Sequence, residues 1–247
     1  MIMFGLVGLS NMSAALQKRM SYGAIADTMR DEIKDMQRQF IQTDDPGERA
    51  AVLQRVEALI NNAADKVSSQ QAADEMRAMA KFIEPIFEQR RAYDAALLEF
   101  LGEENDWSKY TSTQESLALG RERLAKLRQC SKAVYQTMDS LVAKAATMIR
   151  NNDASLGISV AAFKGFHSSY VAKAQKFKDV GESHAQMLAR MDDALAMLQT
   201  EWGKWSKGTD GVFQWENDEL SEKFLAINSD IDALGAQLNE REKALHQ

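Results

Sequence analysis

His167, His184, His246 and Cys130 are the only side chains in the 247-residue chain, besides carboxylates and hydroxyls, that suit metal ligation or nucleophile and base work near neutral pH. Metal centres in helical bundles take Glu-x-x-His pairs, because i and i+3 project onto one inward face. The residues three places before the histidines are Lys164, Gly181 and Lys243, so carboxylate-bridged di-iron chemistry lacks its ligands. No HExxH is present, and one cysteine supplies neither an internal disulfide nor a cysteine zinc site. His184 lies in an apolar helical stripe and is expected to be a hydrogen-bonded core histidine, not a base. Cys130 is expected at a buried helix position.

Phosphate chemistry fares no better. GKWSKGT, from Gly203, has the lysine and hydroxyl displaced from the order a phosphate loop needs, and no strand precedes it. GxGxxG and GxSxG do not occur. The sequence therefore predicts a non-enzyme with no catalytic residue, no metal, no cofactor and no small-molecule substrate.

Residues 154 to 178 carry four lysines, four aromatics and no acid, a composition that suits a nucleic-acid groove or a membrane surface. At 100° per residue, Phe163, Phe166, Tyr170 and Phe177 fall on one face, while Lys164, Lys173, Lys176 and Lys178 scatter around the helix. The rings are expected in the core and the lysines in water. With a net charge of -6 and a pI near 5.3, the chain has no general attraction for nucleic acid or anionic lipid.

Ala, Met, Leu, Gln, Glu, Lys and Arg dominate, and there are only two prolines, so the composition is all-α. Five helical tracts are expected. The first spans about 13 to 42, with Ile25, Met29, Ile33, Met36 and Phe40 at helical spacing. The second runs from Pro46 to Leu101, with a restart at Ser68 and Gln71, a stripe from Met76 to Phe100 and a kink at Pro85. The third, capped by Ser112 with Glu115, carries Leu117, Leu124, Leu127, Val134, Met138, Leu141, Ala145 and Met148. A fourth of about fifty residues opens at Asp153 and carries its stripe through Trp202 and Trp205. The last holds Leu220, Phe224, Ile227, Ile231, Leu234, Leu238 and Leu245, a seam interrupted at Arg241. No alternating strand pattern stands out. The expected fold is an elongated up-and-down helical bundle or antiparallel coiled coil over residues 13–247, preceded by an apolar segment over residues 1–12.

In an up-and-down bundle, turns two helices apart share an end. Trp107 is thereby brought to Trp202, Trp205, Phe213 and Trp215, forming an expected partner-binding aromatic pole. Residues 99 to 110 and 201 to 219 hold nine acids against three bases, a surplus equal to the net charge of the whole chain, -6. An acidic pole suits a protein partner or a second copy better than anionic lipid.

MIMFGLVGL lacks the preceding basic residues of an export signal, so a cytoplasmic location is favoured, and it is too short to cross a bilayer as a helix. Met3, Phe4, Leu6, Val7 and Leu9 are candidate membrane or docking residues, or else a lid on the bundle. The leading expectation is a scaffold, adaptor or assembly subunit acting by protein-protein contact, with a protein partner or as a homo-oligomer. The alternative is a membrane-associated bundle, either a curvature scaffold or a pore-forming component, docking through the N-terminus.

Overall fold

A computed structural model describes residues 32, 35–36, 38–39, 46–66, 69–102, 107–208 and 211–245. Met3, Phe4, Leu6, Val7, Leu9, Ser68, His246 and most of the first tract lie outside these residues. Among the described residues the order is α1 Pro46–Lys66, α2 Gln70–Leu101, a 3-10 helix Trp107–Thr111, α3 Gln114–Arg150, α4 Val160–Val171, α5 Ala174–Thr200, β1 Trp205–Lys207, β2 Phe213–Trp215 and α6 Asp218–Leu245. The fold is all-α, with packed helices as in a helical bundle.

The chain divides into two compact units, one of Met1–Ala95 with Ala133–Gln175, the other of Ala96–Lys132 with Lys176–Gln247. In the first unit, α2 supplies Met79, Phe82, Ile83 and Ile86, α3 supplies Val134, Met138 and Ala145, and α4 supplies Phe163 and Phe166, all buried. Phe82 meets Phe163 edge-on at 5.2 Å and Phe166 at 5.7 Å, the arrangement that ring quadrupoles favour. The Ser159 backbone N–H donates to Glu75 at 2.8 Å and ties the start of α4 to α2. Arg55 of α1 donates to Gln39 at 2.7 Å.

In the second unit, Leu117, Leu124 and Leu127 of α3 are buried, as are Val180, Leu188, Leu195 and Leu198 of α5. Gly102, at φ +73°, donates its N–H to the Leu98 carbonyl at 2.7 Å and ends α2 in a left-handed cap. Tyr110 then stacks on Phe100 at 5.6 Å and donates its hydroxyl to the Phe100 carbonyl at 2.8 Å. That bond satisfies a carbonyl that the helix end leaves without an intrahelical partner.

Helix starts differ from expectation by competition between neighbouring hydroxyls. Ser69 begins α2, accepting from the Ala72 N–H at 3.4 Å. Thr113, not Ser112, begins α3: the Ser116 N–H donates to Thr113 Oγ1 at 3.0 Å and the Thr113 N–H donates to Ser116 Oγ at 2.9 Å, a capping box closed by serine instead of Glu115. Asp153 does not open a helix. It accepts from the Ser155 N–H at 2.8 Å in a turn, and Ser159 caps α4 instead. The expected fifty-residue helix is also interrupted at Ala172 and Lys173, next to the unit boundary at Gln175, with neither glycine nor proline there. Pro85 is held inside α2.

Gly120 lies in the middle of α3, where alanine normally gains about 1 kcal/mol. Here a Cβ would stand 2.6 Å from Tyr110 Cγ and 2.9 Å from its Cβ, the stiff root of the ring. Gly120→Ala is expected to destabilise by about 1–2 kcal/mol, because overpacking outweighs helix propensity. Urea midpoints compared with Tyr110→Ala/Gly120→Ala check the cause. If the added alanine is no better tolerated when the ring is gone, the contact is not responsible.

Candidate functional site: an aromatic hairpin at a helix corner

The stretch from 201 to 218 contains a short β-hairpin, where no alternating strand pattern stands out in the sequence and the preceding helical stripe extends through Trp205. β1 pairs antiparallel with β2, with Trp205 opposite Trp215, Ser206 opposite Gln214 and Lys207 opposite Phe213. Period-two alternation puts Trp205, Lys207, Phe213 and Trp215 on one face and Ser206 and Gln214 on the other. Gly208 donates to the Val212 carbonyl at 2.9 Å, and Gly211 donates to the Gly208 carbonyl at 2.9 Å from φ +82°, a conformation that glycine enters at little cost. The signal was present as W-x-K and F-x-W flanking a glycine-bounded turn. It was masked because Trp202 and Trp205 continue the three-and-four spacing of the preceding helix, which in fact stops at Thr200.

The aromatic face rests on α6. Phe224 is buried and meets Phe213 at 4.9 Å and Trp215 at 5.1 Å. Trp205 contacts Phe213 at 5.4 Å and Trp215 at 6.5 Å, and Trp202 packs edge-on against Trp205 at 5.3 Å. The Trp205 indole N–H donates to the Leu198 carbonyl at 2.9 Å, pinning the hairpin to the last turns of α5. Trp205, Phe213 and Trp215 are half-buried, whereas Trp202 is 38% exposed. The rings are thus both a packed corner and a partly open surface.

The hairpin's register continues into the helices. Arg190 of α5 pairs with Asp230 of α6 at 3.1 Å, and Arg241 donates to the Asp179 carbonyl at 2.8 Å and to the Ser183 hydroxyl. Lys176 donates to the Ala244 carbonyl at 2.6 Å. Arg241, which interrupts the seam in sequence, is therefore a register contact.

The expected meeting of Trp107 with this cluster concerns a side chain outside those described. Its neighbour Tyr110 forms the stacked pair with Phe100 noted above. The acidic surplus is partly compensated: Glu99 is bound by Lys126 at 2.6 Å and lies 3.6 Å from Arg123. The Lys126 hydrogen bond holds the Glu99 carboxyl below its ordinary range, although burial opposes this. Glu201 pairs with Lys204 at 2.7 Å, while Glu216, Asp218 and Glu219 are exposed.

The remaining candidates are placed as follows. His184 is buried, with Nδ1 2.9 Å from Ser131 Oγ. His167 is half-buried, and Cys130 is half-buried on α3 instead of buried, because it sits on the flank of the core stripe. Phe163, Phe166 and Phe177 are buried, which removes their faces from base stacking, and Tyr170 donates its hydroxyl to Asp139 at 2.7 Å. Lys164, Lys176 and Lys178 are exposed and Lys173 is half-buried. Among the described residues no group of three His, Cys, Asp or Glu side chains is placed to hold a metal, and no helix is long and apolar enough to cross a membrane.

No family model, characterised protein or solved structure matches the chain.

Gly211→Ala is expected to cost about 1 kcal/mol through its left-handed backbone. The measurable result is a weaker near-ultraviolet dichroism from the Trp205 and Trp215 pair with the far-ultraviolet helix signal unchanged. An unaltered near-ultraviolet signal would show that the turn does not set the hairpin.

Proposed function

We propose that the protein is a non-enzymatic helical scaffold, adaptor or assembly subunit that acts through protein-protein contacts made by α6 and the aromatic hairpin. The carrying observation is the coverage of α6. Of its seam, Phe224 and Leu238 are buried, whereas Leu220, Ile227, Ile231 and Leu234 are half-buried and Leu225 on its flank is 63% exposed. The seam of α3, with the same period, is buried from Leu117 to Met148. Large aliphatic residues left half in water at heptad positions suit a further helix, because burying them is worth about 25 cal/mol per Å². The open edge of Trp202 adds an aromatic anchor of the kind enriched at binding hot spots.

Crosslinking of the native protein in its source, combined with sedimentation of the purified chain, tests this reading. The expected result is a defined larger species, either a second copy or another protein. It is lost in Ile227→Glu/Ile231→Glu while the helix signal is retained. A chain that crosslinks to nothing and sediments as a monomer over a wide concentration range would remove the reading. Vesicle flotation with and without residues 1–12 tests the membrane alternative, which rests on the N-terminal apolar segment.

A further inference from the structure

Between α5 and α6 runs an open groove of about 510 Å³, lined by the apolar Ala189, Ala233 and Leu234 and by the charged Arg190, Asp193 and Asp230. Alanines on both helices leave room for a further backbone, and Leu234 belongs to the same half-buried seam as Ile227 and Ile231. Ala189 on α5 with Ala233 and Leu234 on α6 offer an apolar floor to the stripe of a helix laid along the groove.

Charge decides what kind of helix. From Glu201 to the end of the chain there are ten carboxylates and five lysines or arginines, so this arm holds -5 of the chain's net -6. Among the described residues lining the groove the one cation is Arg190, which lies between Asp193 at 3.0 Å and Asp230 at 3.1 Å, with both carboxylates about half-exposed. Glu222, Asp232 and Glu240 are exposed along the same helix. A second copy would bring a like-charged arm against this one, whereas a cationic partner is steered toward it and neutralises it.

We propose that the groove receives an amphipathic helix of a partner protein, its apolar stripe on Ala189, Ala233 and Leu234 and its flanks bearing lysine and arginine. The proposal rests on the protein-contact reading above and names the partner's chemistry.

The test is a fluorescence-anisotropy titration of the full chain with two labelled amphipathic peptides, one of leucine and lysine, the other of leucine and glutamate. The leucine-lysine peptide is expected to bind saturably, at least about tenfold tighter than the other, and to weaken as salt is raised. Asp193→Lys/Asp230→Lys is expected to lower that affinity at least about tenfold, and Leu234→Glu to do the same. Glu48→Lys, reversal of an exposed charge on α1, is expected to leave it unchanged. Should the double reversal lose helix signal, Asp230→Asn carries the charge test.

Equal affinity for both peptides, no binding, or indifference to the Asp193 and Asp230 changes would overturn the proposal. So would a self-association that Leu234→Glu abolishes, which places a second copy in the groove and leaves the protein-contact reading standing. Binding to anionic vesicles without peptide binding also overturns it. Failure of the parent reading is seen separately, as a native chain that crosslinks to nothing.

Discussion

Replacing Asp94 with alanine is expected to destabilise the protein by about 3–5 kcal/mol, because it leaves a guanidinium buried without its carboxylate. Arg90 and Asp94, one turn apart on α2, are joined by Nε to Oδ2 at 2.9 Å and by Nη2 to Oδ1 at 2.6 Å. Their side chains are 5% and 3% exposed. The same spacing on a helix surface is worth only about 0.3–0.5 kcal/mol. The guanidinium also lies 4.8 Å from the centre of the Tyr93 ring. Tyr135 belongs to the same polar pocket: burial pushes its hydroxyl above the ordinary range, with Tyr93 adding to that and Arg90 opposing it. Urea unfolding followed by far-ultraviolet dichroism gives the number. Arg90→Met/Asp94→Leu supplies the contrast, since removing both charges together is expected to cost far less than removing one. A double variant as unstable as Asp94→Ala would show that packing, not the loss of the carboxylate beside Arg90, sets the loss.

Phe163→Ala is expected to cost a comparable 3–5 kcal/mol through lost burial and the cavity left behind. Phe163 is fully buried and makes the 5.2 Å edge contact with Phe82. α4 has only 12 residues, too few for a helix that is stable by itself in water, so its order depends on that packing. Amide hydrogen exchange is expected to quicken throughout residues 160–171 while residues 180–198 of α5 keep their protection. Uniform loss of protection in both helices would mean that Phe163 supports the whole chain and not α4 in particular.

The all-α class and the core face of α3 were legible because they rest on short-range terms. Helix propensity is a property of each residue, and the three-and-four spacing from Leu117 to Met148 admits one buried face, which is buried throughout. The hairpin at 205–215 is hidden in the sequence for a reason equally local. Six strand residues in two runs of three are too few to outweigh a helical period that reaches Trp205, and the strands are held by contacts to Leu198 and Phe224. Cap positions slipped by one because Ser112 and Thr113 are both able to cap, and the one whose partner hydroxyl sits at the third helical position wins.

What the sequence determined alone is therefore the all-α class, the period of the apolar seams and the acidic surplus of residues 99–110 and 201–219. Tertiary structure decided which of those seams is covered. α3 and α6 carry the same repeat, yet one is buried and the other half-open, since coverage depends on neighbours distant in sequence. It decided likewise that an i to i+4 ion pair on α2 sits in the core and that Gly120 faces a tyrosine ring. Period and propensity are carried by the segment itself; burial and close approach belong to pairs of segments, and no single segment records its partner.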